Sequence, residues 1–136
     1  IQGDITKQST LEEILKYFGN EEVDLIVMDG APDVTGIIEL DINMQTHLIS
    51  CSLIMCVKVL KNGGKFVAKV FKSEDHDFYS DKAKRIFKYV TFYKPSSSRL
   101  TSHETFLVCE GFNLNDEEIK KDCQNITLED IFALYN

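Results

Sequence analysis

The chain has little of what marks a metal site or a nucleotide-hydrolase site. Its four cysteines form no C-x-x-C pair, and its three histidines share no metal-ligand spacing. No phosphate-cradling glycine loop occurs among its seven glycines, which disfavours a nucleotide hydrolase. We therefore predict no bound metal, and we expect the thiols to be reduced core side chains of a cytosolic or nuclear protein. The cysteines are Cys51, Cys56, Cys109 and Cys123.

Long apolar runs are also missing. The stretch at residues 49–60 is interrupted by Ser52 and Lys58, so we predict no transmembrane helix and no membrane partner. No secretory signal precedes the first elements, which favours a cytoplasmic location. The chain begins with Ile1 rather than with methionine, and we expect it to be a piece of a longer protein.

Positive charge is scarce overall but unevenly distributed. The net charge is −7, which argues against a generic nucleic-acid-binding surface. Residues 113–136 hold six acidic and two basic residues, so they supply −4 of that total. A basic run elsewhere fits either a solvated helix face or an anion-binding patch, and the sequence leaves that choice open. The run consists of Lys82, Lys84, Arg85 and Lys88.

Hydrophobic periodicity predicts alternating helices and strands. Apolar residues run on without alternation at Val23–Met28 and again after Lys65, as in parallel strands that are buried on both faces. Helices are predicted at 12–18, 41–60 and 79–88, and further strands at 89–93 and 104–109. This order predicts an α/β fold with a mostly parallel sheet, ending in an antiparallel hairpin. We assign residues 1–112 to this domain and residues 113–136 to an acidic, helical tail.

Three charged residues lie in or beside these apolar strands, namely Asp29, Lys69 and Glu104. A buried charge is costly unless it is paired, so we predict one mutually neutralising cluster and place the candidate active site there. Lys69 could be a base whose pKa is lowered by burial, or a lysine that snorkels to solvent.

Two aspartates follow strand-like runs, and in open α/β sheets ligands bind at the carboxyl ends of the strands. Asp29 is one, and Asp4, after a possible short strand, is the other. Asp4 could accept a hydrogen bond from an adenine amino group. Strand-end aspartates also cap helices and bind magnesium, so each signal is weak by itself.

Three segments resemble the FtsJ-type ribose 2′-O-methyltransferases. They are DGAPDVTG at residues 29–36, VAKVF at 67–71, and KPSSSR at 94–99 followed by Glu104. Their order and spacing agree with that family over about residues 1–112, and the DGAPDVTG form is similar to the eukaryotic tRNA anticodon-loop branch. The resemblance implies the C-terminal portion of a Rossmann-like methyltransferase domain that uses S-adenosyl-L-methionine, with its N-terminal strands absent from this chain.

The resemblance also implies roles for individual residues in a Lys-Asp-Lys-Glu tetrad that acts on a 2′-hydroxyl. Lys69 matches the second lysine, which is the base, and Asp29 matches the aspartate that also contacts the cofactor. Glu104 matches the glutamate that orients lysine and substrate, and Asp4 matches the adenine-contacting aspartate. Candidates for binding RNA phosphates, by charge and location, are Lys72, Lys94, Ser97 and Arg99.

The family's glycine-rich cofactor loop, its ribose-binding acid and its first tetrad lysine would all precede Ile1. We therefore expect this chain alone to bind S-adenosyl-L-methionine weakly or not at all and to be inactive. The leading hypothesis is 2′-O-methylation of the tRNA anticodon loop by a protein of which this chain is a fragment. Alternatives are a ribosomal RNA enzyme of the same family and a non-catalytic interaction module with a degenerate methyltransferase fold. The resemblance further implies an accessory protein subunit, on which the tail could dock instead of on its own domain.

Overall fold

A computed structural model describes residues 1–29, 38–71, 76–95, 104–114 and 121. The helices and strands in this part of the chain alternate as the periodicity predicted. In chain order they are α1 (Gln8–Phe18), β1 (Val23–Met28), α2 (Ile38–Val59), β2 (Leu60–Phe71), α3 (His76–Lys84), β3 (Phe87–Tyr93) and β4 (Glu104–Phe112).

The four described strands form one sheet in the order β1-β2-β4-β3. β1 and β2 are parallel, and β4 is antiparallel to both β2 and β3. Three strands therefore share one direction, and β4 alone is reversed. The predicted α/β fold and the final antiparallel hairpin are confirmed. Only one pairing is parallel because β4 inserts between the two codirectional strands β2 and β3.

The regular part of β2 begins at Lys65, as predicted, although the strand itself begins at Leu60. Val23 pairs with Leu60 and Leu25 pairs with Lys65, so four residues of β2 bulge opposite one residue of β1. Gly63 in this bulge has a φ of 83°, a conformation that glycine adopts without steric cost. The K-N-G-G segment thus lies within β2, where it interrupts the pairing of β2 with β1. It does not precede the strand.

The helices pack on one face of the sheet. α2 links β1 to β2, and α3 links β2 to β3 in the same direction across the sheet. Right-handed crossovers therefore place both helices on the same side, where they contact each other and the strands. α1 packs on α2 through Leu11, which contacts Cys51 and Met55. The main core is lined by buried residues of both layers, including Ile49, Cys56, Phe66, Ala68, Tyr79, Leu107 and Cys109.

The prediction that the cysteines are free core side chains is confirmed for three of the four residues. Cys51, Cys56 and Cys109 are free thiols inside the core. Burial raises the pKa of Cys56, with a smaller contribution from Cys109, and burial raises the pKa of Cys109 to about 12. Cys56 and Cys109 are therefore protonated at neutral pH and are poor nucleophiles. Cys123 lies outside the described residues.

The opposite face of the sheet carries side chains that none of the described helices covers. Leu25 and Val27 are 53% and 63% exposed, and Tyr89 and Tyr93 are 56% and 58% exposed. We call this surface the open face. In strand order it comprises Leu25 and Val27, then Lys65, Val67 and Lys69, then Phe106, Val108 and Glu110, then Tyr89, Thr91 and Tyr93.

Two other predictions concern membrane-spanning helices and the acidic tail. Within the described ranges, no helix combines the length and the apolar character needed to cross a membrane. The acidic tail at residues 113–136 lies outside the described residues except for 113, 114 and 121, so its helical structure stays a prediction.

Candidate active site at the carboxyl edge of the sheet

Asp29 and Lys69 meet where two parallel strands end. Asp29 directly follows β1, and Lys69 lies two residues before the end of β2 at Phe71. Because the two strands are parallel, their carboxyl ends share one edge of the sheet. The Nζ atom of Lys69 lies 3.4 Å from Oδ1 of Asp29. The structure thus brings these two candidates together as an ion pair.

This ion pair is more exposed than a buried cluster would be. The Lys69 side chain is 30% exposed and that of Asp29 is 71% exposed, because Lys69 lies on the open face. An ion pair in contact with water contributes only about 0.2–1 kcal/mol to stability. Its significance is therefore one of position: it holds an ammonium group and a carboxylate at the edge where ligands bind in α/β sheets.

Glu104 is brought to the same edge by the reversed strand. β4 begins at Glu104, which pairs with Phe71, while Lys69 pairs with Phe106. Residues two apart on a strand share one face, so the Glu104 position is diagonal to that of Lys69. The Glu104 side chain lies outside the described part of the structure, and its role stays a prediction.

Asp4 belongs to a turn that leads into α1, and residues 1–4 form no strand. Its Oδ1 accepts hydrogen bonds from the backbone N–H of Thr6 at 2.9 Å and from the Thr6 hydroxyl at 2.7 Å. Its backbone carbonyl accepts a bond from the N–H of Lys7 at 3.1 Å. The backbone bond, followed by the hydroxyl bond, lowers the pKa of Asp4. The carboxylate is therefore held in its charged form by its own turn.

His47 lies near this turn, and the sequence pattern did not single it out. It is 2% exposed in α2, and its Nε2 atom lies 3.9 Å from Sγ of Cys51. Burial lowers the pKa of His47, and the negative charge of Asp4 offsets this in part. The ring is therefore neutral at pH 7, which is consistent with a structural role.

The structure describes one of the four residues predicted to bind RNA. Lys94 directly follows β3 and is exposed. The other three, Lys72, Ser97 and Arg99, lie outside the described residues. Across the described ranges, no three side chains of the His, Cys, Asp and Glu types gather closely enough to hold a metal ion.

A row of open-face residues links the ion pair to the far edge of the sheet. Lys69 pairs with Phe106 of β4, and Phe106 pairs in turn with Tyr93 of β3. Sequence reasoning missed Tyr93 because strand order and register are not visible in a local pattern. The alternation of Tyr89, Thr91 and Tyr93 was the available signal, since alternate residues share one face of a strand.

Comparison with known proteins finds related sequences and one solved structure with a similar fold. The model of the family described as FtsJ-like methyltransferase matches residues 1–112. The tRNA (cytidine(32)/guanosine(34)-2′-O)-methyltransferase of Schizosaccharomyces pombe is 48% identical over 113 residues, which are 83% of this chain and 40% of that protein. The ribosomal RNA large subunit methyltransferase E of Pseudomonas fluorescens is 38% identical over 117 residues, which are 86% of this chain and 56% of that protein.

The solved structure of a ribosomal RNA methyltransferase, putative, from Plasmodium falciparum shares the fold. It has a TM-score of 0.66 and 22% identity, and the match covers 82% of this chain and 62% of that one. The human tRNA (cytidine(32)/guanosine(34)-2′-O)-methyltransferase is 45% identical over 113 residues, 34% of its length. The match thus covers 40% of the S. pombe tRNA enzyme and 34% of the human one, less than half of each.

Proposed function

Because the chain belongs to the FtsJ-like methyltransferase family over residues 1–112, as its three motif segments predicted, we propose that it is part of a tRNA ribose 2′-O-methyltransferase. The observation that carries the proposal is the Lys69–Asp29 ion pair at the carboxyl ends of two neighbouring parallel strands. We place the target in the anticodon loop. The fission-yeast relative named for positions 32 and 34 is 48% identical, against 38% for the named ribosomal RNA enzyme.

The donor set fits part of a site for S-adenosyl-L-methionine. Asp29 is a largely exposed carboxylate at the ligand-binding edge, and Asp4 is a carboxylate kept charged by its turn. Carboxylates accept hydrogen bonds from amino and hydroxyl groups of the kind that this cofactor carries. We assign Asp29 and Asp4 to cofactor binding, and when bound the cofactor supplies an electrophilic methyl group.

The chain's own contribution is to handle the proton of the 2′-hydroxyl. Lys69 in its neutral form would accept that proton at Nζ, and the cofactor, held by Asp29 and Asp4, would supply the methyl group that the ribose oxygen takes up. Asp29, 3.4 Å away, stabilises the ammonium group that results. Glu104 orients Lys69 and the substrate. Positioning supplies much of the rate in such a displacement, because the reacting atoms must be in line.

A chimaera tests this function. The 113 residues of the S. pombe enzyme that align with this chain are replaced by the residues of this chain. The protein is then offered tRNA and S-adenosyl-L-methionine. We expect methyl transfer to the anticodon loop, mapped by resistance to alkaline cleavage, because a methylated 2′-oxygen cannot attack the adjacent phosphate. A folded chimaera that binds both substrates and transfers no methyl group would contradict the proposal.

The second candidate is 2′-O-methylation of ribosomal RNA, favoured by the 38% identity to the Pseudomonas enzyme. The same chimaera, offered ribosomal RNA fragments and tRNA in competition, separates the two. Methylation of the ribosomal fragment alone would replace the first candidate by the second. A non-catalytic interaction module would leave both RNAs unmodified.

A further inference from the structure

Two tyrosines on the outermost described strand hold their rings out from the sheet. Tyr89 and Tyr93 lie on the open face of β3, with Thr91 between them. They are 56% and 58% exposed, although burial of an aromatic side chain is favourable. Large exposed apolar groups that share one surface mark a place where a partner binds.

Two lysines lie beside these tyrosines, in a chain whose net charge is −7. Nζ of Lys88 lies 5.3 Å from the centroid of the Tyr89 ring, and Lys94 directly follows Tyr93 and is exposed. This local excess of positive charge favours a polyanionic partner.

One acidic side chain on this surface, Glu110, already has a cationic partner. Glu110 pairs in register with Tyr89, and its carboxylate lies 3.7 Å from Nζ of Lys65. Its charge therefore does not cancel the positive charge that follows α3 along the chain.

The tyrosines lie on the same face as the candidate reacting lysine. The register row runs from Tyr93 through Phe106 to Lys69. Neighbouring strands are about 4.8 Å apart, so the backbone at Tyr93 lies roughly 10 Å from that at Lys69. Tyr89 lies four residues earlier, about 13 Å along β3. The open face thus continues from the ion pair to the two rings without crossing any of the described helices.

We propose that Tyr93 and Tyr89 form a stacking platform for unpaired RNA bases next to the nucleotide that reaches Lys69. The identity of the ligand rests on the proposed function. Every base has a π-face, so aromatic rings bind single-stranded segments with little dependence on sequence. Lys88 and Lys94 stabilise the adjoining phosphates. The platform therefore selects unpaired loops over duplex RNA, whose bases are stacked on each other.

The test uses the chain as printed and a fluorescently labelled RNA stem-loop with an anticodon-type loop. Affinity is measured by anisotropy at low salt. The chain has no tryptophan, so the difference in quenching of tyrosine emission between the wild type and Tyr93→Ala reports stacking on Tyr93. We expect Tyr93→Ala to raise the dissociation constant roughly 5- to 150-fold and to remove part of the quenching. Tyr93→Phe keeps the stacking ring and should bind as the wild type does.

Tyr17 provides the matched control, because it is 74% exposed but lies at the end of α1. Tyr17→Ala should leave the affinity unchanged. Wild-type affinity in Tyr93→Ala would overturn the platform, as would an equal loss in Tyr17→Ala. An equal loss in Tyr93→Phe would indicate a hydroxyl contact instead of stacking. Protection of Tyr93 by a second copy or another protein, with no response to RNA, would also overturn it.

The failure of the platform and the failure of the methylation proposal give different results. Lys69→Ala should abolish methyl transfer in the chimaera, while the same change in this chain keeps the quenching by RNA. If Tyr93→Ala binds RNA normally and Lys69→Ala is inactive, only the platform is wrong. If Lys69→Ala stays active and Tyr93→Ala loses affinity, only the catalytic assignment is wrong.

Discussion

At the scale of single residues, Asp4 has a definite pH behaviour. Two hydrogen bonds from Thr6 stabilise its carboxylate and lower its pKa. The folded-state pKa is therefore below the unfolded one. The stabilisation is complete above the unfolded pKa of about 4 and is lost as the pH falls through the folded pKa.

Asp4→Asn should accordingly reduce the free energy of unfolding at pH 7 and make a smaller difference below about pH 4. Asparagine still accepts the bonds from Thr6, but it has no charge to strengthen them. Urea unfolding of both proteins across this pH range is the measurement. A difference between the two proteins that is constant with pH would show that the charge of Asp4 is not involved.

Asp4 is also assigned to cofactor binding. A substitution at Thr6 distinguishes that role from the contribution of Asp4 to the turn. In the chimaera, Asp4→Ala should raise the dissociation constant of S-adenosyl-L-methionine, measured by calorimetry. Thr6→Val removes the hydroxyl bond at 2.7 Å and retains the carboxylate, so it should have the smaller effect. An unchanged constant in Asp4→Ala would remove Asp4 from the cofactor site.

At the scale of secondary-structure elements, α2 is held by buried polar contacts as well as by apolar ones. The hydroxyls of Thr46 and Tyr79 lie 3.0 Å apart and join α2 to α3. One residue along, His47 is buried, and burial lowers its pKa. The unfolded chain therefore binds a proton below about pH 6.5 that the folded chain does not take up. Stability is lost as the pH falls below that value.

His47→Leu should reduce this acid sensitivity, because leucine binds no proton in either state. The free energy of unfolding of the variant should fall less between about pH 6.5 and pH 5 than that of the wild type. Thr46→Val is the control, since it removes a hydrogen bond worth about 1 kcal/mol at every pH in this range. Equal slopes for His47→Leu and wild type would contradict the assignment.

The order of the elements was predictable from the sequence, but several of their boundaries were not. Periodicity located the four strands of the described sheet, yet α3 ends at Lys84 rather than near residue 88. β3 begins at Phe87, whose ring lies 6.3 Å from Phe66 and 5.4 Å from Phe112. These aromatic contacts across the sheet outweigh local helix propensity, and a local pattern does not contain them.

In the candidate site, too, some features were predictable from the sequence and others required the structure. The ion pair of Asp29 and Lys69 followed from charges in apolar strands and from the shared carboxyl edge of parallel strands. The row that joins Lys69 to Tyr93 required the strand order and the register. Asp4 was expected after a strand and lies in a turn, because its own side chain and Thr6 close that turn.

At the scale of the whole molecule, the sheet is covered on one face and open on the other. The apolar run in β1 predicted a strand buried on both faces, but Leu25 and Val27 are more than half exposed. β1 is also an edge strand within the described sheet. An apolar edge of this kind favours association with another chain.

Replacing both exposed residues, Leu25→Lys and Val27→Lys, should reduce concentration-dependent association of this chain, measured by sedimentation. The melting temperature should change little because neither side chain is buried. Met28→Lys is the contrasting variant, since Met28 is 6% exposed in the core and a charge there should prevent folding. Unchanged association in the double variant would indicate that this face does not drive it.

The central claim is that Lys69 is the base of a 2′-O-methyltransferase, and single-turnover methyl transfer by the chimaera tests it most directly. Lys65 is the internal control, because it lies on the same strand and face and also forms an ion pair. We expect Lys69→Ala to lower the rate by at least about 100-fold with cofactor and tRNA still bound, and Lys65→Ala to stay near the wild-type rate. A wild-type rate in Lys69→Ala, or an equal loss in Lys65→Ala, would contradict the claim.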